Sequence, residues 1–101
     1  MGDMDGMRQV GYHYQNRIGI KKDECKAFEY YQKLAEMGHA RGTFDVGFCY
    51  EKGIGVEKDE HKAFEYYQKS AEMGNLKGTF NVGYCYHKGI GIKNEENKAL
   101  E

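Results

Sequence analysis

Lys26-Ala27-Phe28-Glu29-Tyr30-Tyr31-Gln32-Lys33 returns unchanged as Lys62-Ala63-Phe64-Glu65-Tyr66-Tyr67-Gln68-Lys69, then starts again as Lys98-Ala99-Leu100-Glu101. The interval is 36 residues, and it also separates Val10-Gly11, Val46-Gly47 and Val82-Gly83. Residues 6–41 and 42–77 share 21 identities in 36, and residues 42–65 and 78–101 share 15 in 24. Repetition of this kind decides an architecture before any local feature does. It divides a single domain, 1–101, into repeats at about 6–41, 42–77 and 78–101, the third truncated.

Each unit reads as two helices. In the second of the pair, Asp59 is a good N-cap, and the run to Met73 holds no Gly or Pro. Ala63, Tyr67, Ser70 and Ala71 then fall on one face, as do Ala27 and Tyr31 one unit earlier, and Gly74 supplies the stop. The first helix of the pair runs from about Asn75 to Lys88 and carries Gly83 inside it, matched by Gly11 and Gly47. An interior glycine costs about 1 kcal/mol relative to alanine, so its recurrence implies close approach of two helices. Gly78, Val82 and Tyr86 form a core stripe beside it. The turns Gly53-Ile54-Gly55 and Gly89-Ile90-Gly91 follow, with Gly55 and Gly91 as fixed structural positions. A unit of this kind cannot bury its apolar side alone and must stack on its neighbours. The expected fold is all-α: an α-solenoid of antiparallel helix pairs, about two and a half repeats long.

Composition narrows the function. Hydrophobic residues make up 40% of the chain and charged residues 31%, a globular balance. Fifteen basic residues face 16 acidic ones with no basic stripe, so nucleic acid is not an expected partner. No apolar run is long enough for a membrane span, and Asp3, Asp5 and Arg8 interrupt the start where a signal peptide would be apolar. Cys25, Cys49 and Cys85 are odd in number and widely spaced, which is not a disulfide framework. A cytoplasmic protein is the expectation.

The pattern Val82-Gly83-x-x-Tyr86-x-x-Gly89-x-Gly91-Ile92, joined to Asp59, Ala63-x-x-Tyr66-Tyr67-x-x-Ser70-Ala71-x-x-Gly74, resembles the Sel-1-like repeat, a relative of the tetratricopeptide repeat. The resemblance extends over the chain from about Gly6. It implies a right-handed superhelix that serves as a non-catalytic scaffold or adaptor for a protein or peptide, including in signalling chains. Some secreted bacterial members carry a disulfide within each unit; the required cysteine pairs are absent here, which agrees with a reduced protein. Three departures stand out. Arg17 replaces the glycine found at 53 and 89, Arg8 replaces the aromatic found at 44 and 80, and Gly42 and Gly78 sit where the family often has alanine.

Candidate chemistry is sparse. The Gly-x-Gly turns lack the strand and the Gly-Lys-Ser/Thr of a phosphate loop. His13, Cys49 and Cys85 share one repeat position, and Cys25 and His61 another; such positions stack about 10 Å apart, too far for one metal. Cys85 and His87, two apart on a helix, point away from each other and are no catalytic dyad. No metal, cofactor or catalytic residue is expected, and a hydrolase is the weakest of the readings.

The recognition candidates are aromatic: Tyr12, Phe44, Phe48, Phe80 and Tyr84, on the side opposite Val82 and Tyr86. They either pack between units or line an exposed ladder suited to a protein or peptide. Nearby positions change between units, Gln9/Asp45/Asn81 and Gln15/Glu51/His87, and read as a variable solvated surface. Asp3, Asp5, Arg8 and Gln9 read as the polar outer side of a capping first helix. The third unit stops seven residues into its second helix. This leaves three expectations: a piece of a longer array, for example beside a kinase, end-to-end self-association, or cover from a partner.

Overall fold

A computed structural model describes residues 4–16 and 23–91. Five α-helices follow one another: α1 Met4–Asn16, α2 Glu24–Glu36, α3 Ala40–Lys52, α4 Glu60–Glu72 and α5 Leu76–Lys88. No strand occurs among the described residues. The substituted turn at Arg17 and the expected second helix of the third unit lie outside them.

Local chemistry sets the helix ends. Asp23 and Asp59 accept from the Lys26 and Lys62 backbone N–H groups at 3.0 Å, satisfying donors a helix start leaves open. Asn75 caps α5 through Gly78 N. His39 plays the same part for α3, its Nδ1 accepting from Gly42 N at 2.9 Å. That bond puts the proton of the neutral ring on Nε2, which lies 3.2 Å from Asp5 Oδ1. His39 is thus a half-buried cap. Gly38, Gly53, Gly74 and Gly89 end the helices with φ between +70° and +91°, a region other residues enter at a cost.

Helices pack on their chain neighbours in order, giving a body of 45 × 26 × 18 Å. One core cluster holds Ala27, Tyr31, Val46 and Cys49, and a second holds Ala63, Phe64, Tyr67 and Cys85. Contacts recur at the sequence interval. Tyr14 stacks on Tyr30 at 5.9 Å as Tyr50 does on Tyr66 at 5.8 Å. Phe28 meets Tyr50 edge-on at 5.5 Å, as Phe64 meets Tyr86. The first pair of contacts joins helices within a unit and the second joins successive units, so the hairpins lie side by side in chain order.

The interior glycines admit tyrosine rings. A Cβ on Gly11 would lie 2.9 Å from the Tyr31 ring, and one on Gly47 2.8 Å from the Tyr67 ring and 3.1 Å from the Ala63 carbonyl oxygen. At Gly47 the close approach is therefore ring to backbone as well as backbone to backbone. Gly83 differs, being exposed with nothing within 4 Å of where its Cβ would be. Gly42 and Gly78 act at the junctions between units: a Cβ there would meet Leu34 Cβ at 2.5 Å, or the Ser70 side chain at 2.9 Å. Alanine would not fit either junction without movement.

The turns seal successive units. A Cβ on Gly55, at φ +70°, would fall on the Glu24 carbonyl oxygen, and one on Gly91 on the Glu60 carbonyl oxygen. Each turn therefore lies on the first residue of the second helix of the preceding unit, with Ile54 and Val56 packed on the first core cluster and Ile90 on the second.

All three cysteines are free: Cys25 is exposed, Cys49 and Cys85 are buried. Burial pushes the Cys49 thiol up to about 12 and the Cys85 thiol up to about 11, with nearby carboxylates adding to the rise. Both stay protonated at neutral pH and are poor nucleophiles, since the thiolate is the reactive form.

Candidate interaction groove

The first helices of the three units form one row, and a groove of about 470 Å³ runs across it. From α1 come Arg8, Tyr12 and Gln15; from α3 come Arg41, Phe44, Asp45 and Phe48; from α5 come Lys77 and Asn81. These side chains converge because residues three or four apart share a helix face and equivalent positions of stacked units are neighbours.

Asp45 organises the floor. It is buried, with Arg8 Nε donating to Oδ2 at 2.7 Å and Arg8 Nη2 to Oδ1 at 3.4 Å. Arg41, one turn earlier on α3, brings its Nε to 3.6 Å from Oδ1, at ion-pair range but beyond a hydrogen bond. Burial raises the Asp45 carboxyl pKa, and the Arg8 hydrogen bond and the charges of Arg8 and Arg41 oppose that rise. Each guanidinium also lies over a ring, Arg8 over Tyr12 at 5.8 Å and Arg41 over Phe44 at 5.7 Å. Such contacts hold aromatic faces in place at a gain of about 0.5–1 kcal/mol at exposed sites.

Beneath this layer, two tyrosine hydroxyls reach the row from the second helices. Tyr31 donates to Gln15 Oε1 at 2.8 Å, and Tyr67 donates to Glu51 Oε1 at 2.6 Å. Phe44 rests on the Tyr67 ring at 5.3 Å. Both phenols are pushed well above their ordinary pKa, by burial first; at Tyr67 the Glu51 hydrogen bond adds to it.

The five aromatic candidates divide. Tyr12, Phe44 and Phe48 line the groove. Phe44 packs on Tyr67 of its own unit with one side and lines the groove with the other. Phe80 and Tyr84 are 73% and 43% exposed and stand outside the groove lining. Among the structural positions, Ala27, Ala63, Tyr31 and Tyr67 are buried core.

The polar half of the groove is where sequence reasoning misses. Asp45, Gln15 and Glu51 were expected on a variable solvated surface, yet Asp45 is buried and the other two accept buried hydroxyls. Arg8, expected on an outer polar side, turns to α3 instead. A signal did exist. Where residue 8 is Arg, the position 37 residues on is Asp45; where residue 44 is Phe, it is Asn81. The pair changes together, as touching groups do.

No described helix is long and apolar enough to cross a membrane, and no three His, Cys, Asp or Glu side chains among the described residues come close enough to hold a metal ion.

Helix hairpins repeated every 36 residues, stacked in order with one helix row open to a groove, define an α-solenoid repeat protein. The Sel1 repeat matches residues 5–39, 40–75 and 76–101, and the chain belongs to the Sel1 repeat family. It is similar to a Sel1 repeat protein from Oxalobacter formigenes, with 34% identity and a TM-score of 0.83 over 90% of this chain and 37% of that one. It is also similar to a protective antigen of uropathogenic Escherichia coli strains with an SLR fold, at 32% identity and a TM-score of 0.83 over 90% of this chain and 20% of the other. Helicobacter pylori cysteine-rich protein B aligns at 30% identity and a TM-score of 0.70, over 75% of this chain and 57% of that protein. The chain thus spans less than two thirds of each of these relatives. No curated protein matches it.

Proposed function

We propose that this chain is a non-catalytic scaffold that captures a protein or peptide in the groove of α1, α3 and α5. The observation carrying this reading is the groove itself, where Tyr12 and Phe48 offer ring surface beside arginines held on Asp45. Aromatic side chains and Arg are the residue types enriched where proteins bind proteins. Phe80 and Tyr84 extend the same row beyond the groove and enlarge the surface offered to a partner. The free cysteines support a reducing, cytoplasmic setting, where an adaptor of signalling proteins would work.

The test is partner capture by the full chain and by a Tyr12→Ala/Phe48→Ala variant, with circular dichroism as the folding control. The variant is expected to lose about tenfold or more in capture, roughly the cost of truncating interface anchors, while keeping its helicity. Equal capture by both proteins would remove the groove as the binding face. Loss of helicity would make the two rings packing residues instead.

A second reading has its own support. Leu76 and Phe80 are 83% and 73% exposed, whereas their equivalents Ala40 and Phe44 are half-buried. This face suits cover by further chain, so the repeats would serve as a structural or regulatory segment of a longer protein or associate with another copy.

A further inference from the structure

We propose that His39 is a proton-operated latch at the junction between the first two units: neutral, it caps α3, and protonated, it releases that cap and keeps only Asp5. The latch itself is a property of the fold; its effect on a bound partner rests on the binding role proposed above.

The geometry of the ring carries the inference. His39 Nδ1 accepts from Gly42 N at 2.9 Å, and Nε2 lies 3.2 Å from Asp5 Oδ1. One ring nitrogen thus faces a donor and the other an acceptor, and only the neutral ring with its proton on Nε2 serves both. An imidazolium has two donors and no lone pair, so protonation sets Nδ1–H against the Gly42 N–H. The bond to Asp5 survives the change. The His39 side chain is 14% exposed and Gly42 is buried, so water is poorly placed to replace the lost acceptor at the helix start. Asp5 is 93% exposed, and an ion pair with so open a partner does little to offset the loss.

The elements around the ring leave this balance in place. From α1 it meets Asp5. From α2 the Leu34 side chain reaches the same junction, against Gly42. On α3 itself Arg41 is turned to Asp45, and the Thr43 hydroxyl donates to the His39 carbonyl.

The repeat supplies two comparisons. Asn75 holds the equivalent place at the next junction and caps α5 through Gly78 N with an amide oxygen, which has no proton to gain in this range. His61 has the opposite surroundings: Nδ1 lies 3.0 Å from the Gly91 carbonyl oxygen and Nε2 3.2 Å from Glu65 Oε2. Both are acceptors, so a second ring proton finds a partner there. Among the described caps, Asp23, His39, Asp59 and Asn75, His39 is the one imidazole. Mild acid therefore acts on the start of α3. Arg41 and Phe44 stand on its first two turns and line the groove, so the groove wall slackens with it.

Amide hydrogen exchange tests the latch without any partner. Gly42 and Gly78 sit in nearly the same local sequence, Arg41-Gly42-Thr43-Phe44 and Lys77-Gly78-Thr79-Phe80, so the ratio of their rates cancels the direct effect of pH on exchange. Between about pH 7.5 and about pH 5.5, either side of the histidine range, the Gly42-to-Gly78 ratio is expected to rise about fivefold, the factor that losing one side-chain cap corresponds to. His39→Asn, matching the cap of α5, should hold the ratio constant, and His61→Gln should leave the rise in place. A constant ratio in the unaltered chain, or an equal rise in His39→Asn, would overturn the latch. Partner capture at the same two pH values separates the latch from the binding role. Capture that weakens in acid for the unaltered chain but not for His39→Asn supports both. Absence of capture at either pH removes the groove as a binding face, while the exchange ratio still decides the latch.

Discussion

Gly55→Ala is expected to destabilise the chain by about 3 kcal/mol, enough to lower the Tm by roughly 15 °C in a domain of this size. Two costs add. At φ +70° a Cβ is strained by about 1–2 kcal/mol. It would also be forced onto the Glu24 backbone carbonyl, with Phe28 Cβ 3.0 Å away, and overpacking of this kind costs about 1–3 kcal/mol. Backbone cannot rotate aside as a flexible side chain can. Gly38→Ala is the matched comparison: its φ is +82°, yet nothing lies within 4 Å. That variant should lose only about 1–2 kcal/mol, the strain alone. Thermal and denaturant unfolding of the two variants reads the difference. Equal losses would mean that the turn does not lie on the preceding unit.

Tyr67→Ala is expected to cost about 3–5 kcal/mol, the range for removing a large buried ring from a packed core. Tyr67 sits over the bare backbone of Gly47, supports Phe44 at 5.3 Å and holds Glu51 through its hydroxyl. Its loss therefore opens α3 from α4 and removes the floor under Phe44. Tyr67→Phe keeps the ring and loses one hydrogen bond, for about 1–2 kcal/mol. Denaturation midpoints at constant m-value test both. A loss below about 1 kcal/mol for Tyr67→Ala would show that the ring does not hold the hairpin together.

Helix order, caps and stops were legible because they are local and repeated. Asp23 and Asp59 cap as their positions imply, and Gly38 and Gly74 stop as theirs do. The role of Gly47 was legible as close approach, but its partner, the Tyr67 ring, was not, since a helix wheel does not show which side chain crosses from the neighbouring helix. The groove was half legible. Tyr12, Phe44 and Phe48 stood out as large apolar groups, whereas Asp45 looked like a surface acid. Its burial follows from two arginines, one on another helix 37 residues away, and pairing at that range is not a property of the local sequence.

The account depends on the units lying side by side so that α1 and α3 share one groove wall, and a double-mutant cycle on Arg8 and Asp45 measures that directly. Arg8→Ala, Asp45→Ala and the double variant, compared by denaturant unfolding, should show a coupling of about 1–3 kcal/mol, as expected for a charge-assisted hydrogen bond with limited solvent access. Additive losses, with coupling below about 0.3 kcal/mol, would mean the two residues do not meet, and the groove they build would fall with them.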